Sequence, residues 1–167
     1  MSKTFAEAKP SRQVGTQIAK PVLKMTNPVA LRQLMANARQ RGREDVWREA
    51  FYRLCVLQGM DQKDPLHRDF FAMLSAYEHY LYEKHGRNLK AQYTRRALAN
   101  KGVIGTLSDW ALASKPTDGF KRLVEANLSE FTGECVVLRH SARFSDEIVV
   151  AARKRLAEFG VTNCGST

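Results

Sequence analysis

The chain has no apolar run approaching the roughly 20 residues needed to cross a bilayer, so no membrane span is expected. Cysteine is scarce. Cys55, Cys135 and Cys164 are far apart, odd in number and contain no CxxC pair, which points to neither a zinc knuckle nor a disulfide framework. Cys55 and Cys135 lie in apolar stretches and are expected to behave as small buried hydrophobes. That usage suits a reducing cytoplasm. The opening residues, MSKTFAEAKPSRQVG, lack the hydrophobic region of a signal peptide. They also lack a regular apolar stripe, so a basic arm is preferred to a targeting peptide.

Enzyme signatures are missing as well. There is no GxxxxGK followed by Ser or Thr, no GxGxxG, no HExxH, no GxSxG and no kinase set. Two weaker arrangements remain. His79 and Glu83 stand four apart on a predicted helix, within reach of one metal or one water, although His and Glu at this spacing more often form an ordinary surface contact. Glu134, Arg139 and His140 bracket a short apolar run, but the paired acids and following Lys of a nuclease are absent. The expectation is therefore no catalytic residue, no metal and no cofactor, with a small metal-dependent hydrolase or nuclease as the third-ranked reading.

What the chain does have is positive charge: 27 Lys and Arg against 17 Asp and Glu, a net of +10 over 167 residues. Hydrophobic residues reach 44%, enough for a globular core without metal or disulfide support. The excess charge is segregated. Residues 1–45 carry a net +6 and residues 87–122 another +6, while 46–86 and 123–167 are each −1. A merely solubilising surface has no need of that separation, and basic blocks of this kind suit polyanionic partners.

Hydrophobic spacing predicts an all-α fold, a single compact bundle of about seven helices carrying an extended basic N-terminal arm. The arm is placed at 1–26, the helical domain at 27–160 and a short tail at 161–167. Asn27-Pro28 and Asp64-Pro65 read as an N-cap followed by proline at the first helical position. A second helix runs from about Glu44 to Gln58. Leu66, Phe70, Leu74, Tyr77 and Leu81 form the cleanest stripe, marking the 65–85 helix as the central one, with Leu74 and Tyr77 buried. Helices are expected at about 89–100 and 103–114, separated by Gly102, and another is capped by Thr117. The last is capped by Ser145 and closed by Gly160. Residues 131–140 fit a strand or a helix, and helix is preferred because no partner strand is evident.

The sharpest charged stretch is Arg87, Lys90, Arg95, Arg96 and Lys101, with Tyr93 among the charges and no acid from Arg87 to Ser108. Two short helices joined at Gly102 match the outline of a helix-turn-helix, as any such pair would. Lys115, Lys121 and Arg122 extend this block, and Arg39, Arg41 and Arg43 belong to the first. These twelve residues are the candidate contacts to nucleic acid, DNA or RNA, made mainly to phosphates by a non-enzymatic binding protein, within a larger nucleoprotein assembly if the arm is ordered. The alternative is a protein-interaction module, an inhibitor or adaptor of mobile-element type, whose basic surface meets an acidic partner. A solvated helix face is the plainest explanation of the same charges.

Overall fold

The computed structural model describes residues 21–57 and 63–164. Among these residues the chain is all-helical, with eight α-helices and no strand. They are α1 (Pro21–Lys24), α2 (Pro28–Gln40), α3 (Glu44–Cys55), α4 (Pro65–His85), α5 (Gln92–Leu112), α6 (Asp118–Glu125), α7 (Gly133–Arg139) and α8 (Asp146–Glu158). Short 3-10 turns at Ser129–Phe131 and Ser141–Arg143 flank α7. Residues 1–20 of the expected arm, and 165–167 of the expected tail, lie outside the described residues. Pro21–Lys24, also within the expected arm, forms a helical turn whose Val22 is buried.

Local chemistry sets most of these boundaries. Asn27 Oδ1 accepts from the Val29 amide at 2.9 Å, and Asp64 Oδ1 from the Leu66 amide at 3.0 Å. Each satisfies a helix-start donor that would otherwise lack a partner, and each is followed by proline. Thr117 Oγ1 does the same for the Phe120 amide at 3.1 Å. Ser145 occupies the start of α8 in extended backbone, but its hydroxyl makes no capping bond; Asp146 and Glu147 in the first turn oppose the helix dipole instead. Gly86 ends α4 in the left-handed conformation, φ 65°. Gly102, at φ 67° and ψ −176°, breaks α5 into the two pieces its sequence predicts.

Helix α4 is the hub. It packs against α3, α5, α6 and α7, while α2 pairs with α3 and α8 covers α5 and α7. The core joins Leu31 and Met35 of α2, Trp47 and Phe51 of α3, Leu66, Phe70 and Leu74 of α4, Leu107 of α5 and Val136 of α7, all essentially inaccessible. Aromatic pairs tie the layers together: Trp47 stacks on Phe51 at 5.2 Å, and Phe51 meets Phe131 at 4.8 Å.

Two expectations are corrected. Tyr77 is only partly buried, and the position facing the interior is Glu78. Four-residue steps from Leu66 through Phe70 and Leu74 arrive at Glu78, which continues the buried row. Residues 131–140 are helical in their main part, as α7, the preferred of the two readings. Cys135 and Cys164 form a disulfide across 29 residues. The bond fastens the C-terminal strap to a small cluster of Phe120, Leu156 and Val161. Spacing alone conceals it, because the partners meet only when the strap folds back over α7. With two of three cysteines paired, cysteine usage no longer argues for a reducing compartment. Cys55 is free and buried, and burial pushes its thiol up to about 12.

Leu74→Ala should cost about 2–5 kcal/mol in denaturant unfolding, the range for emptying a packed core site. A loss below about 1 kcal/mol would remove α4 from the centre.

Candidate nucleic-acid interface

The N-terminus of α5 has no side-chain cap of its own; Ala91 stands at that position. A carboxylate from α4 takes over. Glu78 is 1% exposed, and its Oε1 accepts from the Ala91 amide at 3.0 Å. Arg95, one turn into α5, closes a two-point fork on the same group, Nε to Oε1 at 2.7 Å and Nη2 to Oε2 at 3.0 Å. Lys90 Nζ adds a contact to Oε2 at 3.3 Å. Burial raises the affinity of Glu78 for a proton. The bonds from Arg95 and Ala91, with the charges of Arg95 and Lys90, outweigh this and hold its carboxyl below the ordinary value.

A third cation feels the same charge. Arg32 of α2 is buried, bonds Asn88 through Nη1 and lies 5.4 Å over the Tyr82 ring. Burial lowers its pKa, and Glu78 partly offsets that. The far end of α5 is fixed in a similar way. Arg155 of α8, bonded to buried Glu134 at 3.0 Å, donates to the Trp110 and Ala113 carbonyls at the end of α5. Burial pushes the Glu134 carboxyl up.

The twelve candidate residues therefore divide. Lys90 and Arg95 hold Glu78, and Lys101 pairs with Asp109 across Gly102. Arg43 forks onto Asp45 at 2.9 and 2.7 Å and draws its carboxyl down to about 2. Arg39 lies over Trp47 at 4.7 Å, and Arg122 reaches the Tyr80 hydroxyl at 3.3 Å. Arg41, Arg87, Arg96, Lys115 and Lys121 are exposed and make no ion pair or side-chain hydrogen bond among the described residues. Tyr93 is 87% exposed. Arg87 and Lys90 precede α5 in non-helical chain, so they share no helix face with Lys101 as a continuous helix would require.

Part of the second block nevertheless stands at one feature. A cavity of about 510 Å³ opens between Tyr77 and Leu81 of α4, residues 89–94 entering α5, and Thr117–Phe120 at the start of α6, with Trp110 and Gly133 also lining it. The Gly133 backbone lies against Trp110, since a Cβ there would stand 2.9 Å from the indole. Lys90 and Tyr93 line the cavity directly. Arg96 is one turn beyond Tyr93, and Lys121 and Arg122 follow Phe120 on α6. The first block meets the other end of the same helix. Arg39 and Arg43 line a shallow recess with Ala126, Asn127 and Leu128, immediately past α6. Eight helical residues span only about 12 Å, so α6 separates the two blocks by a short distance.

Of the two enzyme-like arrangements, the first stays together and the second comes apart. His79 is fully buried, with Nε2 3.0 Å from Glu83 Oε1. His79 lowers the Glu83 carboxyl, opposed by burial and aided by Arg39. Glu134 faces Arg155, whereas Arg139 and His140 share Asp69, each at 2.9 Å. Among the described residues, no three His, Cys, Asp or Glu side chains stand together as a metal site. No helix of the described residues is long and apolar enough to cross a membrane. No protein-family model, curated protein or solved structure matches the chain.

Glu78→Gln should destabilise the fold by roughly 3 kcal/mol, at the low end for breaking a buried ion pair because Arg95 and Lys90 can regain water. The loss should depend on pH. A carboxyl with a lowered folded pKa stabilises above its unfolded value, near 4.5, and that contribution vanishes as pH falls through the folded value. Denaturant unfolding at pH 7 and pH 3 should show a wild-type advantage that shrinks in acid; a constant difference would place the carboxylate's contribution elsewhere.

Proposed function

We propose that this protein binds nucleic acid without catalysing a reaction, meeting the phosphate backbone along a basic strip that follows α6 from the cavity mouth to the α2–α3 turn. The observation that supports this most is the convergence of two basic blocks, far apart in sequence, on the two ends of one eight-residue helix. The exposed guanidinium and ammonium groups of Arg41, Arg87, Arg96, Lys115 and Lys121 are the foremost phosphate contacts. Arg39, Arg43, Lys101 and Arg122 flank them in weaker surface contacts that a phosphate can displace, since exposed pairs contribute little. Lys90 and Arg95 act chiefly by holding the entry of α5 in place. The site of action on this reading is the cytoplasm, where nucleic acid is met, and contact with a larger nucleoprotein assembly suits the high charge.

Binding should be dominated by counterion release, with the logarithm of affinity falling linearly against the logarithm of salt concentration. Arg96→Ala with Lys121→Ala should weaken binding to unrelated sequences alike. The salt slope should flatten by up to about 1.8 on duplex DNA, or about 1.4 on a single strand, if both residues touch phosphate. Titrations of wild type and double variant with random-sequence strands at several salt concentrations check this. Unchanged affinity and slope in a folded variant would reject the α6 strip. No binding near physiological salt, with a stable complex to an acidic protein instead, would favour the interaction-module alternative.

A further inference from the structure

We propose that the cavity between α4, α5 and α6 accepts a single unstacked nucleobase from a single-stranded segment, with Tyr93 stacking at its mouth and the flanking cations holding the adjoining phosphates. The inference rests on the nucleic-acid reading and adds the class of substrate to it. Three observations carry it together. First, the cavity is about 510 Å³, within the range of small-molecule sites and ample for a base with its sugar, and it is lined mostly by apolar and aromatic groups, including Tyr77, Trp110 and Phe120. Second, Tyr93 belongs to the lining yet is 87% exposed. A ring held at a cavity mouth by a fixed helix start, and itself uncovered, is a platform on which any base can stack. Third, the charge around the opening suits a polyanion that enters only through its neutral part. Lys90 is at the wall with its side chain half exposed, Arg96 is one turn from Tyr93, and Lys121 adjoins Phe120.

Asp118 sharpens the choice of occupant. Its exposed carboxylate lines the cavity beside Thr117 and Gly119. A phosphate would be repelled there. A base edge bearing N–H groups would not, because an ionised carboxylate only accepts hydrogen bonds. The ring therefore fits within, and the phosphates fit on the cations outside. A base paired and stacked in a duplex cannot reach the cavity without being extracted, at a cost of a few kcal/mol, so single strands should be preferred.

The test compares three fluorescently labelled ligands of equal length by anisotropy: a mixed-sequence single-stranded DNA, its fully abasic counterpart, and the duplex. The abasic strand keeps every phosphate and sugar and removes every base. The base-bearing strand should bind at least about tenfold more tightly than the abasic one, in line with the stacking contribution of a single base. Tyr93→Ala should remove most of that preference. Gly119→Leu, whose side chain would project toward Tyr77 and fill the opening, should do the same with Tyr93 intact. Equal, salt-dependent affinity for abasic and base-bearing strands would overturn the base cavity while leaving the phosphate reading standing. Duplex affinity matching the single strand would overturn it too. If no ligand binds, both readings fail.

Discussion

One buried carboxylate orders the part of this molecule on which its proposed function depends. Glu78 sits on the inward row of the central helix, where an unpaired charge would be prohibitively costly. Satisfying it requires Arg95, Lys90 and the Ala91 amide together, and those three groups all belong to the first turn of α5 or the residues just before it. The carboxylate thus substitutes for the missing helix cap, complements the positive end of the helix dipole and fixes the direction in which residues 87–96 leave α4. Arg155 and Glu134 hold the opposite end of α5 through its last carbonyls. Between these two anchors lie Tyr93, at the cavity, and the break at Gly102.

The same constraint separates structural from available charge. A net of +10 describes the whole chain, but Arg95 of the central block is committed to the buried Glu78 carboxylate, with its side chain half-buried. What remains outward is a smaller set, Arg41, Arg87, Arg96, Lys115 and Lys121. This division changes which substitutions inform on binding. Removing Arg95 would disturb the frame, whereas removing Arg96, its neighbour in sequence, touches only the surface. Adjacent residues on a helix point about 100° apart, and here that difference decides their roles.

Much of the architecture was legible in the sequence because it rests on local rules. Asn27-Pro28, Asp64-Pro65 and Thr117 start helices by capping geometry, and Gly86 and Gly102 stop or break them by backbone conformation. The apolar stripe of α4 marked the central helix. The site was legible only as charge. Glu78 reads as an ordinary exposed acid beside Tyr77, and its partners stand 12, 13 and 17 residues away across a loop. The available signal was the four-residue ladder Leu66, Phe70, Leu74, Glu78, which places an acid on a buried row and so demands a cation opposite. The Cys135–Cys164 bond, the Glu134–Arg155 pair and the cavity itself arise from how α6, α7 and α8 fold over α5, and no local pattern encodes that.

The most direct measurement is a map of backbone amide shifts in a heteronuclear NMR titration with a single-stranded oligonucleotide at moderate salt. The proposed interface predicts saturable shifts concentrated at residues 87–96 and 117–128, with the α2–α3 turn joining them and α8 unaffected. Shifts confined to α7 and α8, or no saturable shifts at all, would contradict a nucleic-acid surface built around Glu78 and α6.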